Sequence, residues 1–543
     1  MKKLFAFLLV VCGLASFSFL RDPGNRYYEL TKNMEIFSNV YKEINYYYVD
    51  DIEPGKLMKI GIDAMLNSLD PYTNYFSEAQ VESYRFTQEG KYHGIGAGIK
   101  MMDGLPTITE LFEESPAYKN GARVGDQIVT VEGKPVAGKS KDEIDAMMQG
   151  AAESNLNVTV KRLGESKELP FSIPRGEVDV PNVPFSGMVS DRVGYINLTI
   201  FTDQAGAHVM KALNDLKKNN PTMSGLILDL RDNPGGLLRE AVNVSNVFIP
   251  RNELVVTTKG KVKEWDREFK TLQNPTDDKI PLVVIVDKGS ASASEIVSGV
   301  LQDLDRAVIL GQRSYGKGLV QNTRQIGYNG QVKMTTAKYY IPSGRCIQAV
   351  EYEKGEPKAI PDSLRAEFRT KSGRKVLDGG GVKPDVIMES EKMPEIIHQL
   401  SSKDVIFKYA NYYKNTHKDI KPLKEYKYSE YDDFKKFVSN SKFSYTSIVE
   451  DGLSQLKEKA KTSPEWEKIK SQYEALEKST HADQTALLDK HVDQISKIIE
   501  KEIIARYYLQ KGKIEKSLLN DIEIQEAVKI LGDPDRYGKL LKP

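Results

Sequence analysis

Two short apolar runs constrain this chain more than any other feature. Residues 225–230 read GLILDL and residues 281–287 read PLVVIVD. Almost unbroken apolar runs of strand length belong to strands covered on both faces, as in largely parallel sheets. The first run ends in Asn233-Pro234-Gly235-Gly236 and is followed by a helical pattern over 237–248. The second ends in a small-residue turn with serines, again followed by a helix. A further strand is predicted over 193–198. It precedes an amphipathic helix over 205–217, with Val209, Met210, Leu213 and Leu216 on one side. Alternating strands and helices argue an α/β region with a substantially parallel sheet over 176–390. Chemistry in such sheets collects at the carboxyl ends of strands. Both small-residue turns lie there.

At 543 residues the chain is too long for one core. Residues 25–85 read as helical. Ile36, Phe37, Val40, Tyr41, Ile44 and Tyr48 recur at helical spacing, and Pro54 sits just inside a second helix. Their apolar face is a packing face, internal or between subunits. Residues 86–175 change character: Gly90, Gly94, Gly96 and Gly98 cluster, then come strand patterns over 106–111, 127–131 and 156–162 and a short helix over 141–148. This is a small β-rich module. From 391 onward the chain is rich in Lys and Glu. Leu487, Leu488, Val492, Ile495, Ile498, Ile499 and Ile503 form a helical stripe. A helical extension with solvated charged faces is expected there.

Hydrophobic residues make up 40% and charged residues 28%, as in an ordinary soluble globular protein, and the net charge of +1 gives no bulk electrostatic case for nucleic acid. Lys2 and Lys3 precede an apolar run over 4–20, the pattern of a signal peptide or membrane anchor. Export to the periplasm or cell envelope is expected, with membrane contact only through this segment. Cys12 lacks the small preceding residue of a lipobox. Once the leader is removed, Cys346 is the single cysteine and reads as a half-buried structural thiol. The histidines His398, His417, His481 and His491 fall in the helical extension without metal-ligand spacing. No metal or cofactor is expected.

The candidate chemistry lies in 289–321, GSASASEIVSGVLQDLDRAVILGQRSYGKGLVQ. A serine at a strand-to-helix turn exposes its oxygen beside the positive helix end. Ser290, Ser292 and Ser294 all qualify on this ground. A triad would need a histidine, and the α/β region offers only His208, in mid-helix. Lys317 can replace it as base if neutral, which asks its pKa to fall from about 10.4 toward 7, roughly 4 kcal/mol. Burial without a carboxylate partner produces such a shift, and 315–320 (YGKGLV) carries no acid. The competing reading of Lys317 is an exposed loop lysine. Gln321 lies four residues on, so its side chain shares a face with Lys317 and would orient a neutral amine; otherwise it is a surface glutamine. An oxyanion hole is available from backbone N–H groups of Ala293, Gly235 and Gly236, unless the two glycines merely build a tight turn. Arg231, Asp232 and Asp287 read as ion-pair or capping residues, and Glu295 as a helix cap.

These pieces, in this order, are those of a known family. They are Leu228-Asp229-Leu230-Arg231-Asp232-Asn233-Pro234-Gly235-Gly236, the serine turn through Glu295-Ile296, Leu301-Gln302-Asp303 with Arg306-Ala307, Tyr315-Gly316-Lys317-Gly318-Leu319-Val320-Gln321, Tyr340-Ile341-Pro342-Ser343-Gly344-Arg345, and Gly379-Gly380-Gly381-Val382-Lys383-Pro384-Asp385-Val386. The chain resembles the carboxy-terminal processing (tail-specific) serine proteases of the bacterial envelope, over about residues 30–390. The resemblance implies a multidomain α/β protein: a mixed, largely parallel protease core over 176–390, a PDZ module over 86–175, and helical regions over 25–85 and 391–543. It implies Ser292 as nucleophile, Lys317 as base, Gln321 as its support, and Gly235 or Gly236 with Ala293 as oxyanion hole. Gly94, Ile95, Gly96 and Ala97 would be the carboxylate loop of the PDZ module, binding a substrate C-terminus by strand addition; Gly98 is extra beside that loop. The implied partners are proteins with exposed C-terminal tails, and the helical regions are candidate surfaces for a homo-oligomer. Two rival functions are an inactive PDZ scaffold, disfavoured by intact Ser292, Lys317 and Gln321, and a serine acyl enzyme on a non-peptide substrate, disfavoured by the absence of Gly-x-Ser-x-Gly.

Overall fold

A computed structural model describes residues 23–543 except 79, 82–89, 152, 349–351, 354–355, 359, 390–391 and 481–482. The leader-like segment over 1–20, with Cys12, lies outside the described residues. Among the described residues no helix is long and apolar enough to cross a membrane. The chain divides into two compact units, one of Met1–Phe76 with Gln321–Thr335 and one of Ser77–Val320 with Thr336–Pro543.

The smaller unit holds α1 (Pro23–Tyr47), α2 (Pro54–Asn67) and β1 (Asn74–Phe76). Pro54 occupies the first turn of α2, where its missing N–H costs nothing. β1 pairs antiparallel with Gln331, Val332 and Lys333. Among the described residues, Tyr28, Met34, Ile36, Phe37 and Val40 of α1 are all more than half exposed.

The larger unit begins with β2 (Lys91–Gly94) and the β-rich module: β3 (Ala97–Met102), β4 (Leu105–Leu111), α3 (Pro116–Lys119), β5 (Gln127–Val131), β6 (Lys134–Pro135), α4 (Lys141–Met148), β7 (Asn155–Lys161) and β8 (Leu169–Pro174), closed by β9 (Gly176–Asp179) on β2. The sheet order is β3-β4-β5-β7-β8 with β6 on β5, so β3 is an edge strand. On β7 the alternate residues Leu156, Val158 and Val160 point into a core shared with Ile108, Ile128 and Val131, the period-2 pattern the sequence shows.

The central sheet uses β10 (Phe185–Met188), β11 (Val193–Asn197), β12 (Gly225–Asp229), β15 (Leu282–Val286), β16 (Val308–Gly311) and β23 (Val386–Ile387), in that order. Only β10 runs antiparallel to its neighbour. Between these strands lie α5 (Ala205–Asn219), α6 (Leu238–Phe248), the hairpin β13 (Leu254–Gly260) and β14 (Arg267–Lys270), and α7 (Ala293–Asp303). β17 (Leu319–Gly327) and β18 (Gly330–Tyr340) follow α7, and the last part of β18 pairs with β13. Two short hairpins, β19 (Tyr352–Glu353) with β20 (Glu356–Pro357) and β21 (Glu367–Arg369) with β22 (Lys375–Leu377), precede β23. Alternation divides the sheet's side chains between two cores. Leu226, Leu228, Leu282, Val284 and Val286 pack with α5, α6 and α7. Ile227, Val283, Ile285, Val308 and Leu310 pack on the opposite side.

That opposite side is covered from the far end of the chain. The tail folds as α8 (Glu395–Ser402), α9 (Val405–Thr416), α10 (Tyr431–Asn440), α11 (Ile448–Ala460), α12 (Trp466–Thr480), α13 (Gln484–Lys490), α14 (Val492–Leu518), α15 (Ile522–Gly532) and α16 (Pro534–Leu540). The earlier of these helices share their own core, with Tyr409, Phe434, Leu488, Ile495, Ile499 and Ile503 buried. α15 instead lays Ile524, Ala527, Ile530 and Leu531 on the central sheet. A parallel sheet needs both faces covered, and part of the tail read as a solvated extension is the second layer. At about 1.5–3 kcal/mol per buried Ile or Leu, these contacts contribute about 5–9 kcal/mol, comparable to the whole stability of a domain. A chain stopped after residue 520 is therefore expected to lose cooperative thermal unfolding of the central core, read by calorimetry on the soluble fraction.

Candidate active site

β12 and β15 are adjacent and parallel, with Leu228 opposite Val284 and Asp229 opposite Ile285. Their carboxyl ends, and the turns that leave them, therefore meet. Asn233 joins the two turns. Its carbonyl accepts from Ala291 N at 3.0 Å and Ser294 Oγ at 2.9 Å, and its Nδ2 donates to Leu198 O at 2.7 Å. Asp287 shapes the serine turn by accepting from the N–H groups of Asp232, Gly289 and Ser290, each at 3.0 Å. Arg231 is held by Asp229 at 2.6 Å and by Asp521 and Glu523, at the start of α15, at 2.7 and 2.8 Å. The ion-pair and capping expectations for these residues match the geometry.

The turn separates its three serines. Ser290 and Ser294 are fully buried with their hydroxyls committed, Ser290 Oγ lying 2.7 Å from Leu230 O and Ser294 Oγ bonding Asn233 O. Ser292 is half-buried and stands at the N-cap of α7, its backbone N–H bonded to the side chain of Glu295. Its backbone is in the left-handed half of the map, at φ 53° and ψ −111°. A non-glycine residue there stores about 1–3 kcal/mol of strain, and such strain clusters at functional sites.

Glu295 is what holds that conformation. Its side chain is completely buried. Oε2 accepts from the N–H of Ser292 at 2.8 Å and from the N–H of Lys317 at 2.8 Å. Oε1 accepts from Ser314 Oγ at 2.6 Å and Gly316 N at 2.7 Å. One carboxylate oxygen thus joins the backbones of the serine and the lysine. Burial pushes the carboxyl's pKa upward, and the four donors pull it back. Tyr339, also buried, completes the clamp from the carbonyl side: its Oη lies 2.5 Å from Lys317 O and 3.1 Å from Ser292 O. The Ser-x-x-Glu spacing marks Glu295 as a cap. Nothing in the sequence marks Tyr339, whose place depends on the path of β18.

The glycines around the site are set by close approach. A Cβ on Gly235, at φ +100°, would stand 2.8 Å from Ser292 Cβ and 2.9 Å from Ala293 N. One on Gly318 would stand 2.4 Å from Gln348 N, and Gly318 N donates to Gln348 Oε1 at 2.8 Å. Lys317 is half-buried between its glycines. Gly235 N–H is already given to Asn233 Oδ1 at 2.9 Å. Among the described residues the N–H groups of Gly236 and Ala293 have no acceptor. Gln321 lies on β17 in the smaller unit, where its Nε2 donates to Thr335 Oγ1 at 3.2 Å.

The remaining candidates fall elsewhere. His208 Nδ1 is 2.8 Å from Asn182 Oδ1. Cys346 is half-buried, and burial raises its thiol pKa, as suits a structural role. Ile95 is buried and its carbonyl accepts from Ala117 N at 2.8 Å, while Gly96 O accepts from Phe112 N at 3.1 Å. The loop Gly94, Ile95, Gly96 and Ala97 therefore leads directly into the edge strand β3, the position from which an added strand would extend the sheet. Among the described residues no cluster of three His, Cys, Asp or Glu side chains is arranged to hold a metal.

Comparison with known proteins adds three regional matches: peptidase family S41 over residues 192–354, a PDZ domain over 107–162, and the C-terminal helical domain of a probable PDZ-protease over 396–531. The PDZ match begins after the loop at 94–97. The carboxy-terminal-processing protease of Bartonella bacilliformis is 36% identical over 321 residues, covering 59% of this chain and 73% of that protein. Carboxy-terminal processing protease CtpB of Bacillus subtilis is 32% identical over 322 residues, covering 59% of this chain and 66% of that one. A solved photosystem II D1 C-terminal processing protease shares 27% identity, with a TM-score of 0.36 over 66% of this chain and 93% of that one.

Proposed function

The chain belongs to the carboxy-terminal-processing serine proteases of peptidase family S41, with a PDZ domain, and from that premise we propose that Ser292 and Lys317 form its catalytic pair. The single observation that carries this reading is the Glu295 carboxylate oxygen shared by the two backbones. Neutral Lys317 takes the proton of Ser292 Oγ, and the oxygen attacks a peptide carbonyl. The oxyanion is received by the N–H groups of Gly236 and Ala293 rather than Gly235, whose N–H is spent within the turn. Collapse expels the amine, which takes a proton from the lysine. Water, deprotonated by Lys317, then releases the acyl group and the serine. Gln321 supports the amine without recharging it. No step calls for a metal or cofactor.

Substrate recognition in this reading belongs to the PDZ domain, where an unfolded C-terminal tail adds as a strand along β3 and sets its carboxylate against the loop from Gly94 to Ala97. The protein works after export, in the periplasm or envelope, consistent with Lys2, Lys3 and the apolar run that follows. Trapping tests the whole reading. Ser292→Ala protein placed in the envelope is expected to retain intact proteins whose shared feature is an exposed apolar C-terminus, identified by mass spectrometry. Capture that ignores the C-terminus, and survives its amidation, would remove the tail-recognition part.

A further inference from the structure

Between the PDZ domain and the helical tail lies a cavity of about 530 Å³, away from the serine site. Its floor is built by tail residues pressed against PDZ loops. The Asn411 amide lies against Gly125, and the Asn415 amide against Gly164. Leu509 interrupts α14 at φ 54° and ψ −158° and packs into the PDZ core. Ion pairs Lys100–Asp404 at 2.7 Å and Asp103–Lys408 at 2.8 Å fasten the same two bodies nearby. Leu111, Ala122, Val124, Leu163, Ala505 and Leu509 give the cavity apolar walls.

Its charges do not balance. Arg162 is neutralised by Asp126 at 2.7 Å and Arg506 by Glu502 at 2.8 Å. That leaves Arg123, Lys414 and Lys418 on the lining with no carboxylate in ion-pair reach among the described residues. Lys414 is half-buried, with Nζ 3.5 Å from the centre of the Tyr507 ring. Burial, then the nearby Arg123, depress its pKa, with Asp419 the one carboxylate acting the other way. An apolar-walled cavity of this size is of the class that holds small ligands, and this one lacks only a negative charge.

We propose that this cavity is a binding site for a carboxylate carried on a short apolar chain, bridging the PDZ domain and the helical tail. The carboxylate meets Lys414 and Arg123, and the chain lies against Leu111, Val124 and Leu509. A fatty acid and the C-terminus of an apolar peptide share this chemistry. A ligand held by both bodies raises the stability of their docked arrangement, so the site couples the helical tail to the domain that reads substrate tails. The site does not depend on the roles given to Ser292 and Lys317.

The test is titration calorimetry on the full chain carrying Ser292→Ala, which prevents turnover. The probes are decanoate below its micellar range and an acetylated apolar tetrapeptide with a free C-terminus. Their neutral counterparts are decanol and the tetrapeptide amide. At least one acid is expected to saturate, its neutral counterpart to bind at least tenfold more weakly, and the melting temperature to rise with the acid. Replacing Arg123→Gln and Lys414→Gln together is expected to weaken the acid at least tenfold. Saturation by decanoate alone assigns a lipid-derived ligand, and by the tetrapeptide alone a peptide ligand. The proposal is overturned if neither acid saturates, if the neutral probes bind as well as the acids, or if the folded double variant binds undiminished. The loop from Gly94 to Ala97 would read the same carboxylate, so the variant is what places the site; should the double variant misfold, Lys414→Gln alone is expected to weaken the acid, and undiminished binding to it overturns the proposal.

Discussion

Lys317→Ala is expected to lower kcat/KM on an unfolded protein substrate by at least about 10³-fold, within the range that a lost general base costs. Ser292→Ala should do the same, and the double variant should be little worse than either single one, because members of one catalytic unit are not additive. Lys317→Arg keeps length and charge yet should be equally inactive, since a guanidinium holds its proton throughout the working range. Melting temperatures separate this loss from misfolding. The bonds made by the Ser292 and Lys317 backbone groups stay in place when their side chains are truncated. The wild-type pH profile carries a sign of its own. The reacting form is the neutral amine, so kcat/KM should fall as pH drops through the lysine's pKa. Activity of Lys317→Ala at the wild-type rate would end the serine–lysine assignment.

Glu295→Gln carries the second largest effect. The carboxylate meets hydrogen-bond donors at both oxygens: two N–H groups at Oε2, and a hydroxyl and an N–H at Oε1. An amide offers one acceptor end only, so its NH₂ must face two of these donors in either orientation. Two buried donors left without acceptors cost about 2–6 kcal/mol. With the NH₂ turned to Ser292 and Lys317 the strained turn relaxes and the two lose their common anchor; turned the other way it displaces the Ser314 hydroxyl and the Gly316 N–H, which position the lysine loop. An activity loss of about 10²-fold or more is expected, together with a lowered melting temperature. A purely structural defect would leave the acid limb of the pH profile where it was. Loss of the nearby negative charge instead favours the neutral amine, so that limb should move to lower pH. Tyr339→Phe removes only the hydroxyl facing the two carbonyls and should cost about 1 kcal/mol of stability.

Much of the framework was legible because it is periodic. The wholly buried strands β12 and β15 announce themselves as apolar runs, and the stripe with Ile495, Ile499 and Ile503 announces a buried helix face. Ser292 as nucleophile is what the resemblance implies. Which serine hydroxyls are spent was not legible from the turn itself, because the acceptors for Ser290 and Ser294 lie about 60 residues upstream. The same holds for motif pieces whose purpose the sequence left open. Asp303 and Arg345 pair at 2.9 Å, and Gln302 and Arg374 meet Asp385 at 2.9 and 2.6 Å. These residues form a buried polar network at the far end of α7, a matter of folding rather than of chemistry. The role of α15 was hidden for a simpler reason: a helical stripe says that something covers it, and not what.

Arg231 sits two residues past the end of β12 and finds two of its three carboxylate partners some 290 residues later. Synthesis proceeds from the N-terminus. The serine turn, the lysine loop and the PDZ domain therefore all emerge before the helix that seals the sheet beneath them. The nascent chain carries both turns while its scaffold is still open on one side. The second face of the sheet is closed only when α15 arrives.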